Sequence, residues 1–133
     1  ELCINKSKPF IYTSALPGIL IHDATKRFES KRERNRKKLW KNIKKFSAGL
    51  KKIGFNVNSD SQIFPIIIGK EKITLEFSDY LFKNGIFAQP IRYPTVPRNH
   101  ARIRISITAR LSDDHIMKSL SVLESAKRKF DLL

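Results

Sequence analysis

The sequence predicts an α+β fold, in which a long helix leads into a small sheet with helices packed on one face. Three patterns carry that prediction: an apolar stripe at helical spacing from Leu39 to Ile53, an alternation over eight residues from Ala101 to Thr108, and short β-branched runs between amphipathic segments. With 133 residues, 41% of them hydrophobic, the chain has the size and apolar content of one ordinary core.

The opening, Glu1 to Thr13, reads as extended, because Phe10, Ile11 and Tyr12 favour strand geometry and Pro9 forbids a helix running through them. Pro17-Gly18 then punctuates the chain. From about Ile19 to Ile53 the character is helical, and Leu39, Ile43, Phe46, Leu50 and Ile53 form one stripe that faces a core. Gly54 is the expected left-handed residue that ends this helix. Ile63 to Ile68 is a short apolar run suited to a strand, and Pro65 requires that it lie at an edge or carry a bulge. Lys72 to Asn84 reads as a second amphipathic helix on Ile73, Phe77, Leu81 and Tyr80, with Gly85 as its cap.

Ile86 to Arg92 returns as a strand, and a loop from Tyr93 to His100 follows, its path fixed by Pro94 and Pro97. In Ala101 to Thr108 the isoleucines point one way and Arg102 and Arg104 the other. If the isoleucines take the core, both arginines project from the opposite face, as they would over an anionic site. Ser112 caps a last helix, with Asp113 and Asp114 in its first turn and Ile116, Leu120, Leu123 and Phe130 on its buried face.

Charge and cysteine narrow the function classes. The net charge of +15 suggests a polyanion partner, yet Lys26 to Lys52 holds 13 Lys and Arg against two acids, a local +11, so one stretch carries most of it. The apolar stripe of that stretch is complete, and aromatic residues do not alternate with the basic ones as in a stacking platform. A solvated helix face is therefore expected, and nucleic acid is not the expected partner; a basic nucleic-acid-binding module is the alternative of another class. The lone cysteine, Cys3, cannot form an intrachain disulfide, which fits a reducing, cytoplasmic setting. No apolar run reaches the roughly 18 residues of a membrane-spanning helix, and His22, His100 and His115 have no metal-ligand spacing. No metal site is expected, and each histidine is read as a surface residue.

Two segments resemble the pyridoxal-phosphate-dependent α-oxoamine synthases: Pro9-Phe10-Ile11-Tyr12-Thr13-Ser14-Ala15-Leu16-Pro17, and Tyr93-Pro94-Thr95-Val96-Pro97 leading into Ala101-Arg102-Ile103-Arg104. Between them, Leu39-Trp40, Gly49-Leu50, Gly54-Phe55, Pro65 to Gly69 and Leu81 to Ile86 fall where that family has similar residues, so the resemblance covers nearly the whole chain. It implies a fold-type-I enzyme whose C-terminal small domain closes over an amino-acid substrate. Residues 1–18 would end the large cofactor domain, 19–54 would be the long connecting helix, and 55–133 the small domain. The family works as a homodimer and condenses a small amino acid with an acyl thioester of coenzyme A or acyl carrier protein, with loss of carbon dioxide. The opening Ile4 to Tyr12 and Ile91 to Pro94 lean towards the member that joins L-alanine to a pimeloyl thioester in biotin synthesis, ahead of the one that joins glycine to an acetyl thioester.

The resemblance also assigns residues. Arg104 matches the arginine that binds the substrate carboxylate, a task suited to a planar two-pronged donor. Thr95 matches a threonine of the substrate pocket, and Thr13 and Ser14 match hydroxyls that reach a cofactor phosphate across the dimer interface. Without the motif, Arg104 and Arg102 would read as solvated strand residues, and Thr13, Ser14 and Thr95 as turn chemistry. The family's cofactor lysine lies in a Thr-x-Ser/Gly-Lys-Ala-like segment upstream of this stretch. Neither Ser7-Lys8-Pro9 nor Ser30-Lys31-Arg32 offers that context, so no catalytic residue and no covalent attachment of the cofactor are expected here, as for an excised, truncated or incompletely decoded chain. Gly18, His22-Asp23, Lys26-Arg27 and Arg110-Leu111 depart from the family pattern.

Overall fold

Most elements fall where the apolar periods put them; the N-terminus differs. A computed structural model of the chain describes residues 1–6, 8, 16–29, 32–57 and 59–132. The chain divides at Arg34/Asn35 into two units.

In the first unit Leu2–Lys6 is a helix, α1, where an extended segment is expected. Asn5 N–H donates to Glu1 O at 3.0 Å. The helix-breaking argument rests on Pro9 and does not reach back to these residues, whose types tolerate either state. The expected strand at Phe10 to Tyr12 lies outside the described residues. Helix α2 (Gly18–Glu29) buries none of its side chains and exposes Ile19, Leu20, Ile21 and Phe28. An Arg27–Asp23 ion pair at 2.6 Å joins two of the positions that depart from the family pattern.

The second unit holds the sheet. Helix α3 (Arg32–Lys52) packs through Asn42, Ile43, Phe46 and Leu50, with Leu39 and Ile53 partly buried at the ends of the stripe. Gly54, at φ +81°, ends it: Phe55 N–H reaches Leu50 O and Gly54 N–H reaches Lys51 O, the paired bonds of a Schellman motif. Strand β1 (Ile63–Gly69), helix α4 (Glu71–Lys83), strand β2 (Gln89–Ile91), strand β3 (Ala101–Ser106) and helix α5 (Asp113–Lys129) follow. The three strands are antiparallel in the order β1-β3-β2, so the most regular alternation in the sequence is the central strand.

Both prolines of the sheet, Pro65 and Pro90, sit on its edge strands, where a missing N–H is tolerated. Strand β1 is an edge strand and is also irregular, with a register shift between Ile67 and Gly69. Strand β2 is shorter than the expected Ile86 to Arg92, because only Gln89 to Ile91 finds ladder partners on β3.

The inner face brings Phe64 opposite Ile105 and Ile66 opposite Ile103, all buried. Against it pack Phe46 of α3, edge-on to Phe64 at 5.1 Å, and Phe77 of α4, whose ring lies 5.4 Å from that of Phe130. On α4 the fully buried Thr74 takes the place expected for Ile73, which is partly exposed; its hydroxyl bonds Lys70 O at 2.8 Å and so enters the core satisfied. Gly49 lies against Leu120 of α5 so closely that a Cβ there would meet that side chain at 2.2 Å. Ser112 caps α5 as expected, and His115 completes the cap: its Nδ1 accepts from Ser112 N–H while its own N–H donates to Ser112 Oγ. Among the described residues no helix is long and apolar enough to cross a membrane.

Candidate functional site

The outer face of the sheet carries the arginines. Register puts Arg104 between Pro65 of β1 and Gln89 of β2, and Arg102 between Ile67 and Ile91. Ala101, Ile103 and Ile105 are buried, so the pleat turns Arg102 and Arg104 outward; Arg104 is exposed and Arg102 partly covered. The Arg104 guanidinium donates to Gln89 Oε1. Arg102 Nε donates to the backbone carbonyl of His100 at 3.1 Å.

The loop between β2 and β3 is tightly folded. Arg92 O accepts from Thr95 N–H at 3.0 Å and from Val96 N–H at 3.3 Å, the Tyr93-Pro94 peptide is cis, and the Arg98 guanidinium lies 4.9 Å from the Tyr93 ring centre. Thr95 is exposed at the turn, on the connection that leads into the arginine strand. Thr13 and Ser14 lie outside the described residues. His22 and His100 are exposed, as expected, whereas His115 is exposed but engaged in its helix cap. Among the described residues no group of His, Cys, Asp or Glu could hold a metal ion.

Chemically, this is an open cationic surface with planar guanidinium donors on a rigid strand, and it suits a small carboxylate. The place of Gln89 beside Arg104 was not visible in the sequence, because it depends on strand register, and register is a long-range property.

Residues 3–123 match the family described as aminotransferase class I and II. The chain belongs to that family. Among curated relatives, the 8-amino-7-oxononanoate synthase of Treponema denticola is 36% identical over 97% of this chain and 33% of its own length. The enzyme called 8-amino-7-oxononanoate synthase 1 in Bacillus subtilis is 34% identical over 97% of the chain and 34% of its own. The chain thus spans about a third of the length of the curated relatives it matches. A solved structure of 8-amino-7-oxononanoate synthase from Francisella tularensis superposes with a TM-score of 0.75 at 26% identity, over 98% of this chain and 38% of that one. Sphingomonas wittichii serine palmitoyltransferase shares the fold, with a TM-score of 0.83 at 22% identity over 99% of this chain and 34% of that one. The aminotransferase family thus accounts for the α+β architecture, and the resemblance at Tyr93 to Arg104 falls inside the matched segment.

Proposed function

We propose that these residues are the C-terminal third of a cytoplasmic, homodimeric α-oxoamine synthase, 8-amino-7-oxononanoate synthase, which joins L-alanine to a pimeloyl thioester. The observation that carries this reading is Arg104, turned outward from the central strand and bonded to a neutral amide rather than to a carboxylate. The 36% identity to a named 8-amino-7-oxononanoate synthase supports the choice of member over the glycine C-acetyltransferase.

In this reading pyridoxal phosphate, held by the rest of the protein, supplies the electron sink when bound. The residues present fit its substrate better than the cofactor itself, because the outer face offers guanidinium donors for a carboxylate. Arg104 makes two parallel charge-assisted bonds to the amino-acid carboxylate and so fixes the direction of the reacting Cα. Thr95, at its turn, borders the substrate, and Thr13 and Ser14 donate to the cofactor phosphate.

The test uses the full-length enzyme that contains this chain. Arg104→Lys keeps the charge and loses the two-pronged grip, and Arg104→Ala loses both. Charged hydrogen bonds contribute about 1.5 to 3 kcal/mol, so amino-acid affinity should fall roughly ten- to more than a hundredfold in the alanine variant, with thioester binding little changed. Titration with L-alanine, followed by the cofactor's visible absorbance, reads the affinity, with Arg102→Lys as control. Equal losses at both arginines would mean that general basicity had been read as a site.

A further inference from the structure

We infer that Gln89 is the positioning residue for Arg104, and that its being an amide rather than a carboxylate keeps the arginine free to take an anion. The inference rests on the reading of Arg104 as the carboxylate-binding group. Two independent features lead to it. The first is geometric: Gln89 and Arg104 are direct cross-strand partners, both exposed on the outer face, and the guanidinium donates to the amide oxygen. A free arginine on an open face samples many rotamers, and each lost on binding weakens affinity. An acceptor fixed on the neighbouring strand selects one in advance.

The second feature is electrostatic. From Tyr80 to Ser112 the sequence contains no Asp or Glu, although it contains Arg92, Arg98, Arg102, Arg104 and Arg110. Three of these arginines interact with neutral groups: Arg104 with Gln89 Oε1, Arg102 with the His100 carbonyl and Arg98 with the Tyr93 ring. Elsewhere two arginines pair with carboxylates, Arg27 with Asp23 at 2.6 Å and Arg128 with Glu124 at 2.5 Å, while Arg32 lies over the Phe28 ring. A carboxylate at position 89 would satisfy the Arg104 guanidinium and compete with any incoming anion. The amide orients it without neutralising it, and its own N–H groups remain available as further donors.

The test is a KM-against-kcat comparison in the full-length holoenzyme containing this chain, with Arg104→Ala measured alongside. Gln89→Leu should raise the KM for the amino acid about five- to tenfold, the loss of one orienting hydrogen bond, and leave kcat and the thioester KM within about twofold. Gln89→Glu should raise the amino-acid KM further, approaching the effect of Arg104→Ala, because the ion pair then blocks the site. Gln89→Asn, which keeps the amide on a shorter stem, should recover part of the loss. If Arg104→Ala is damaging and either Gln89→Leu leaves the amino-acid KM unchanged or Gln89→Glu is no worse than Gln89→Leu, the inference is overturned. If Arg104→Ala itself has no effect, the carboxylate reading of the site fails instead.

Discussion

Asn42 shows what a single side chain can decide without any trace in the local sequence. It is buried on α3, and its Nδ2 donates to Thr108 O at 3.0 Å and Leu111 O at 3.1 Å, so one amide ties a helix to the turn that follows the central strand. Asn42→Ala removes both bonds and leaves Leu111 O without this donor, while Thr108 O keeps the Leu111 N–H at 3.4 Å, and should cost about 1 to 2 kcal/mol. Asn42→Asp keeps the shape but sets acceptors against acceptors in a buried site, and should cost at least as much. Urea unfolding followed by circular dichroism reads both; an Asp variant as stable as the original would mean that the donors are not used. Residues at this scale were legible only where a motif or an alternation named them. The outward placement of Arg104 was, through its strand pattern, and so was Ser112 as a cap. Asn42 was not, because its partners lie 66 and 69 positions away; nor was Lys127, whose ammonium bonds Gly54 O at 2.9 Å and holds the end of α3 from the far side of the chain.

Helix α3 sets two demands against each other. Its core stripe is well formed, yet no Asp or Glu occurs from Arg34 to Ser59, and Lys41 has Lys37, Lys38, Lys44 and Lys45 at helical neighbour spacings. Such like-charge pairs each cost a few tenths of a kcal/mol. Lys41→Glu turns the repulsions into attractions and should stabilise the chain by about 1 kcal/mol at low salt, after discounting for exposure. Raising salt from about 0.1 M to about 1 M shortens the Debye length from about 10 to about 3 Å and should remove most of the gain. Paired urea titrations at the two salt concentrations check this; a gain that survives high salt would point to helix propensity instead. The same helix shows why elements with one strong period were legible and the ends of the chain were not. The stripe from Leu39 to Ile53 has five apolar residues in register. Leu2 to Lys6 has no period long enough to choose between states, and its strand reading leaned on residues further along.

The layered α+β architecture could be read from the order of patterns, because each amphipathic element needs a partner for its apolar face. The strand order could not. That Ala101 to Ser106 is central, with Gln89 to Ile91 on one side and Ile63 to Gly69 on the other, follows from which edges meet after folding. One consequence of that arrangement concerns behaviour in concentrated solution. Ile63 to Ile68 is uncharged and four of its six residues are β-branched, it lies on an outer strand, and it shows Ile63 and Ile67 to solvent. Such a hexamer would template pairing between molecules were it not interrupted at Pro65. Pro65 is thus a guard against precipitation as well as a tolerated residue. Pro65→Val should raise light scattering during refolding at micromolar concentration, and a lysine at Ile67 in the same variant should reverse it. Unchanged scattering with valine would mean that the register shift near Gly69 protects the strand by itself. If valine does precipitate the protein, a single ring supplies the colloidal stability that a charge of +15 does not.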